Sequence, residues 1–427
     1  MRPWIVLAAA LGHGAAALAQ TPPPAATTDA RFALPEALAL AARTHPALAA
    51  ARARLRAASQ DAVAAGLWTN PLLNAVYTRS VGFTTFDPQI GFLQVGVTQQ
   101  LETAGVPGLR RRAAEFEREA TSAEGRGARR DLLLDVHASV VSLAGAWLRR
   151  EVHVEHLARL ERGTAIIEAR VRSGVAPDYD LRRAQLAMAS ARAALGAAEA
   201  ALLRARTDLD VAVGPAAGAL DGRPSIDLYA PGEVPSASDL QLPLLEGRAD
   251  VAALRARARG ASVEGVAARR SAFPGPSLYG GFAVGQGYGT NGERQVDVLV
   301  GVTLPMPFAD RGTARAGAAA ARAEAFQADA EAAVAAARRR AVGALGEVTR
   351  RQETLATFEQ FAPDRATTVA EAEAAYRGGR VPIQGLIDAW EAVRDARLQS
   401  SDLAEAARLA EVDLWRAAAR LPAQAPP

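Results

Sequence analysis

Arg172-Ser173-Gly174-Val175-Ala176-Pro177-Asp178-Tyr179-Asp180-Leu181-Arg182-Arg183-Ala184 recurs as Arg377-Gly378-Gly379-Arg380-Val381-Pro382-Ile383-Gln384-Gly385-Leu386-Ile387-Asp388-Ala389. Gly falls on Gly, Pro on Pro, Leu on Leu and Ala on Ala at an offset of 205 (379 − 174). Upstream, Gly96-Val97-Thr98 matches Gly301-Val302-Thr303 at the same offset, and downstream Asp208-Leu209 matches Asp413-Leu414. Farther upstream, Leu48, Arg52, Arg54 and Pro71 match Val251, Arg255, Arg257 and Pro274 at 203, so a short indel intervenes. An Ala- and Arg-rich chain aligns Ala with Ala by chance, but it does not hold scarcer Gly, Pro and Asp in one register. A unit of about 200 residues is far longer than solenoid repeats of roughly 20–50. The chain is therefore a tandem duplication with two equivalent halves.

Each half carries strand and helix patterns in the same order. Residues 34–67 are helix-forming, interrupted by Pro46 and stopped at Asn70-Pro71, because proline removes a donor and restricts its predecessor. Two alternating segments follow, 72–83 and 90–102; in the second, Leu93, Val95, Val97 and Leu101 oppose Gln94, Gly96, Thr98 and Gln100. In the second half Val296, Val298, Val300, Val302 and Leu304 alternate with Gln295, Asp297, Gly301 and Thr303, broken only by Leu299, and 277–285 supplies the partner strand. The connecting stretches 84–89 and 286–293 are turn-rich, which predicts one hairpin per half. From Gly108 to Ser173 there is no proline, and such a helix would be roughly 100 Å long. A turn at Gly174 reverses it, and a return helix runs over 177–213, with Pro177 in its first turn. The second half predicts a helix over 313–377, a turn at Gly379 and a helix over 382–420.

Divided accordingly, residues 1–19 read as a signal peptide, 20–31 as a flexible lead-in, 32–213 as the first repeat, 214–242 as a Gly/Pro/Asp-rich connector, 243–421 as the second repeat and 422–427 as a tail. The signal reading rests on Arg2, an apolar run from Trp4 to Leu11, and Ala17-Leu18-Ala19 before Gln20. That run is shorter than the roughly 18 residues of a membrane anchor, and no transmembrane helix is expected elsewhere. There is no cysteine, which excludes disulfides, thiolate metal sites and a lipidated N-terminal cysteine. The formal charge is only +3 and every basic residue is Arg, so the chain has no basic stripe for nucleic acid. Aromatics make up 5%. So Ala-rich a sequence suits long helices packed closely against one another.

Four strands of this length match the reach of tilted outer-membrane strands, yet single-chain barrels start at about eight. An open edge is forbidden in lipid, where every backbone group must be paired. The strands must come from several protomers, two giving eight and three giving twelve, around a polar lumen extended by the helices.

These features resemble the TolC-like outer-membrane efflux family: the double hairpin, the giant helices and the pair Arg172-Ser173-Gly174 and Arg377-Gly378-Gly379. Leu34-Pro35-Glu36-Ala37-Leu38 with His45-Pro46, Gly66-Leu67-Trp68-Thr69-Asn70-Pro71 and Ala375-Tyr376-Arg377 extend the likeness over about 34–421. The resemblance implies a mainly α fold with a small β part: a homotrimeric twelve-stranded barrel in outer-membrane lipid over a periplasmic helical tunnel. It implies a periplasmic adaptor and an inner-membrane pump as partners, and no cofactor. Gly174 and Gly379 correspond to the tips where the adaptor docks. Asp180 and Asp388 fall on positions lining the constricted periplasmic end, and Tyr376 on a tyrosine that latches to the acid corresponding to Asp180. Gly385 replaces a second constriction acid, and Val381 stands where a latch arginine can stand, beside Arg380. Gln99-Gln100-Leu101-Glu102-Thr103-Ala104-Gly105 followed by Gly108-Leu109-Arg110-Arg111 is similar to the CzcC-type heavy-metal branch, with Val106-Pro107 in place of its basic pair.

Other signals carry less. His153 and His156 stand three apart on a helix without a third ligand in sequence, and read as a solvated pair rather than a metal site. Their spacing is not that of a metalloprotease helix. Gly287-Tyr288-Gly289-Thr290-Asn291-Gly292 fits a dinucleotide pattern but precedes no helix and lies between hairpin strands. No nucleophile–base constellation appears, so the chain does not read as an enzyme. A soluble periplasmic coiled-coil scaffold is the alternative; it would have no use for hairpins with one apolar face.

Overall fold

The computed structural model describes residues 31–79, 91–102, 104–232, 234, 247–272, 275–286 and 294–422. The signal segment, nearly all of the lead-in, both strand-connecting loops with the Gly287–Gly292 pattern, and residues 423–427 of the tail lie outside them. The first half runs β1 (Arg31–Phe32), α1 (Leu34–Thr44), α2 (Pro46–Ala65), β2 (Leu72–Arg79), β3 (Gly91–Gln100), α3 (Val106–Arg172) and α4 (Asp178–Val213). After β4 (Arg223–Pro224), the second half runs α5 (Ala249–Ser271), β5 (Ser277–Gln286), β6 (Arg294–Thr303), α6 (Thr313–Glu359), α7 (Ala362–Arg377) and α8 (Ile383–Ala418).

The helix ends follow local chemistry. Glu36 Oε2 accepts from the Ala33 N–H at 3.3 Å, closing the start of α1. Pro46 separates α1 from α2, and His45 between them is extended, its Nδ1 accepting from the Ala47 N–H at 3.2 Å. The return helices α4 and α8 have 36 residues each and coincide at offset 205. Both are preceded by proline as the extended N-cap residue, Pro177 and Pro382, one position before the first helical turn expected for Pro177.

The expected single helix over 313–377 is two. α6 stops at Glu359, and Pro363 lies in the first turn of α7. Proline has no N–H and its ring collides with the carbonyl four residues back, here that of Glu359. At the equivalent place in the first half stands Ala158, and α3 continues unbroken for 67 residues. The break is braced by Arg365, which pairs with Glu359 at 3.0 Å and lies 5.2 Å above the Phe358 ring. The connector, read as aperiodic, contains β4, which pairs in parallel with β1 and so ties the end of the lead-in to residues 223–224.

α3 is the spine: α2, α4, α5 and α8 pack along it, and α6 lies on α5 and α8. Ala120 and Ala123 of α3 meet Ala253 and Ala256 of α5 in a fully buried seam, where small side chains let backbones approach. A larger core joins Phe32, Leu38, Leu133, Leu143, Leu209 and Leu220 around α1, α3, α4 and the connector. α3 and α4 each contain a window long and apolar enough, by composition, to cross a membrane, against the expectation of none. Alanine raises hydropathy there while covering little area. The window in α3 is mostly buried, whereas only 11% of that in α4 is covered within the protomer.

Candidate functional site

The hairpins form one four-stranded antiparallel sheet in the order β2-β3-β5-β6. The register aligns Leu73 with Val97, Val95 with Phe282, and Phe282 with Val298, so one face is continuously apolar. That face is bare: Val300 is 85% exposed and Val298 80%. The opposite face is polar, with Asn74 Nδ2 donating to Thr98 Oγ1 at 2.9 Å and Gln94 Nε2 to the Tyr279 hydroxyl at 2.8 Å. Tyr279 lies over Gly96, where a Cβ would overlap its ring. Among the described residues β2 and β6 have no outer neighbours, so both sheet edges are open. A soluble scaffold would leave neither such edges nor such a face in water.

At the other end of the molecule the two turns are the same structure. Gly174 has φ +72° and Gly379 φ +70°. The Gly174 N–H donates to Val171 O and the Val175 N–H to Arg170 O, both at 2.9 Å. Gly379 and Arg380 repeat this onto Tyr376 O at 3.0 Å and Ala375 O at 2.9 Å. These are Schellman caps, whose left-handed position selects glycine. A Cβ at either glycine would meet nothing within 4 Å, so the backbone of both tips is open to a partner.

Above the turns α3, α4, α7 and α8 close on a core of Leu160, Ile167, Ala184, Tyr376, Leu386 and Trp390. Gly163 makes room for Trp390, whose ring occupies the space a Cβ would take. Tyr376 is buried here, and its hydroxyl has no partner among the described residues. Arg170 of α3 lies 5.0 Å above the Tyr376 ring, and its Nη1 donates to Tyr376 O at 3.3 Å. Burial raises the Tyr376 pKa; the Arg170 charge opposes this and the Asp180 charge adds to it.

The structure brings Asp180 into the field of Tyr376 without a hydrogen bond between them. Asp180 is half-buried in the first turn of α4. Asp388 is exposed on α8, accepts from Gln384 Nε2 at 3.3 Å, and borders a cleft of about 470 Å³ between α4 and α8. Across it stand Tyr179, Arg182 and Arg183. A Cβ at Gly385 would lie 2.5 Å from Val381 Cγ1, so any side chain there must displace Val381. Sequence reading missed Arg170, Trp390, Arg182 and Arg183. One signal was available, since Arg183 and Asp388 coincide at offset 205.

His153 and His156 are not a solvated pair. His156 is 2% exposed beneath α8, and neither ring nitrogen has a partner among the described residues. Burial, helped by Arg394, Arg159 and His153, lowers its pKa to about 4. The helix is exposed only where no neighbour packs on it, and here Arg397 of α8 pairs with Glu155 beside it. Among the described residues no group of three His, Cys, Asp or Glu is placed to hold a metal ion.

Residues 37–215 match the family model described as outer membrane efflux protein. Among solved structures, CusC is similar at a TM-score of 0.77 and 18% identity, over 90% of this chain and 91% of that one. The outer membrane protein VceC of Vibrio cholerae is similar at 0.71 and 21%, over 91% and 96%. The open-state MtrE outer membrane channel of Neisseria gonorrhoeae is similar at 0.71 and 19%, over 91% and 89%. No curated protein matches the sequence.

Proposed function

From a chain whose residues 37–215 match the outer membrane efflux protein family model, we infer a passive exit duct built from three copies. The single observation that carries this is the open sheet with one bare apolar face, set on helices far longer than its own core needs. In the outer membrane, the edge strand β2 of one copy meets β6 of the next, and three copies bring twelve strands into a barrel with no free edge. The polar face, with Asn74, Gln94 and Tyr279, lines the lumen. The uncovered side of α4 meets the next copy in the periplasm.

The tips complete the reading. The open Gly174 and Gly379 turns receive a periplasmic adaptor, which couples the duct to an inner-membrane pump. Asp180, Tyr376 and Asp388 ring the periplasmic mouth, and Arg170 holds Tyr376 against α3. Nothing in this arrangement activates a nucleophile, and transport through it is driven by the pump. The likeness of residues 99–111 to the CzcC-type branch supports heavy-metal cations as cargo.

Efflux in a deletion strain tests the function. Restored export on re-expression, lost when the cognate pump is removed, is the expected result; metal and drug sensitivity profiles of that strain then identify the cargo. Unchanged export in the deletion strain would contradict the duct.

A further inference from the structure

We propose that the junction between sheet and helices is a docking collar for anionic phospholipid headgroups of the periplasmic leaflet. The proposal rests on the sheet spanning the outer membrane. From Val296 to Phe308 every second residue is apolar and exposed, so the lipid-facing stripe runs past the end of β6 through Leu304, Met306 and Phe308. Trp68, between α2 and β2, is exposed at the same level of the molecule. Amphipathic and aromatic side chains collect where hydrocarbon gives way to headgroups.

The charge at this level is strongly one-sided. The four junctions, residues 66–72, 100–112, 269–277 and 303–315, contain seven arginines and two acids, Glu102 and Asp310. In a chain of net charge +3, this is a local concentration of positive charge. Both acids are taken: Glu102 pairs with Arg110 at 3.2 Å, and Asp310 pairs with Arg315. Arg111 pairs with Glu115 at 3.0 Å. Arg112, Arg269, Arg270 and Arg311 are exposed and have no ion pair among the described residues. Arg270 of α5 reaches the start of α3, its Nη1 standing 3.6 Å from where a Cβ on Gly105 would be. A polar cleft of about 330 Å³, bordered by Thr69, Gln100, Glu102, Arg110, Ser271 and Arg315, joins all four junctions.

Free guanidinium groups beside a lipid-facing apolar stripe match a phosphodiester held at the membrane surface. Arginine forks bind phosphate oxygens in pairs, and the acyl chains continue onto Met306 and Phe308. A soluble phosphate would use the charge and leave the apolar continuation without a role.

The test uses the full chain in vesicles of phosphatidylcholine with phosphatidylglycerol, measuring by spin-label spectroscopy the association of each labelled lipid with the protein. The expected result is a severalfold preference for phosphatidylglycerol, falling towards one in R269Q/R270Q/R311Q. A matched triple variant midway along α6, R338Q/R339Q/R340Q, should keep the preference. Equal association of both lipids with the unaltered protein, an unchanged preference in the collar variant, or equal loss in the control variant would each overturn the collar. Failure of the protein to insert into either vesicle would instead contradict the channel reading on which it rests.

Discussion

Arg170 and Tyr376 come from different repeats and meet face to face, the guanidinium 5.0 Å above the ring and bonded at 3.3 Å to the tyrosine's own carbonyl. This contact joins the α3 and α7 limbs directly above the tips, where α7 otherwise rests mainly on α8.

Arg170→Ala should therefore loosen the mouth. A half-buried cation–π contact is worth about 1–2 kcal/mol, so the variant is expected to melt earlier and to show raised resting conductance in planar bilayers. Tyr376→Phe keeps the ring and removes only a hydroxyl that has no partner among the described residues. If stacking holds the mouth, Phe conducts like the parent; if a hydroxyl bond to Asp180 holds it in the assembled channel, Phe opens it as much as Arg170→Ala does.

The tip glycines separate shape from contact. A non-glycine residue in the left-handed region costs roughly 1–2 kcal/mol, small beside the stability of a closed assembly. Gly174→Leu and Gly379→Leu should assemble normally and lose adaptor binding, read by co-purification after cross-linking. Loss of assembly would reduce both glycines to turn formers.

Asp388 faces Arg182 and Arg183 across the α4–α8 cleft, so this cleft carries charge of both signs. Asp388→Asn should shift reversal potentials towards anions and weaken block by multivalent cations, while Arg183→Gln should shift them towards cations. Shifts in the same direction from both variants would remove this cleft from the conduction path.

His137 and His156 are buried with pKa values lowered from the ordinary 6.5 to about 4, in each case chiefly by burial, with Arg408 adding to it at His137. Their folded pKa lies below the unfolded one, so the unfolded chain binds more protons between the two values. Their contribution is complete above about pH 6.5 and declines as the pH falls to 4, at about 2–3 kcal/mol for each group. Melting temperatures from pH 7 to pH 4 should fall over this window, and His156→Leu should flatten the decline. A parent protein equally stable at both ends would contradict this.

Much of this fold was legible because its strongest constraints are backbone ones. Left-handed glycines at 174 and 379, prolines at 177 and 382, and an alternation from Val296 to Val302 broken only by Leu299 each leave few conformations open. The break at Glu359 was equally local, and Pro363 in the sequence was its signal. Arg170 and Tyr376 are a different matter: their contact depends on how two limbs 206 residues apart settle against each other, and no spacing reports that. The burial of His156 is likewise a property of α8 lying across α3. The matching of Arg183 with Asp388 was visible in the repeat but became meaningful only when both bordered one cleft.

Native mass spectrometry of the protein extracted from outer membranes in mild detergent reads directly whether the open four-stranded sheets close by joining three copies. One species of three chains that dissociates only on heating is expected. A monomer, or a dimer with no trimer, would contradict it.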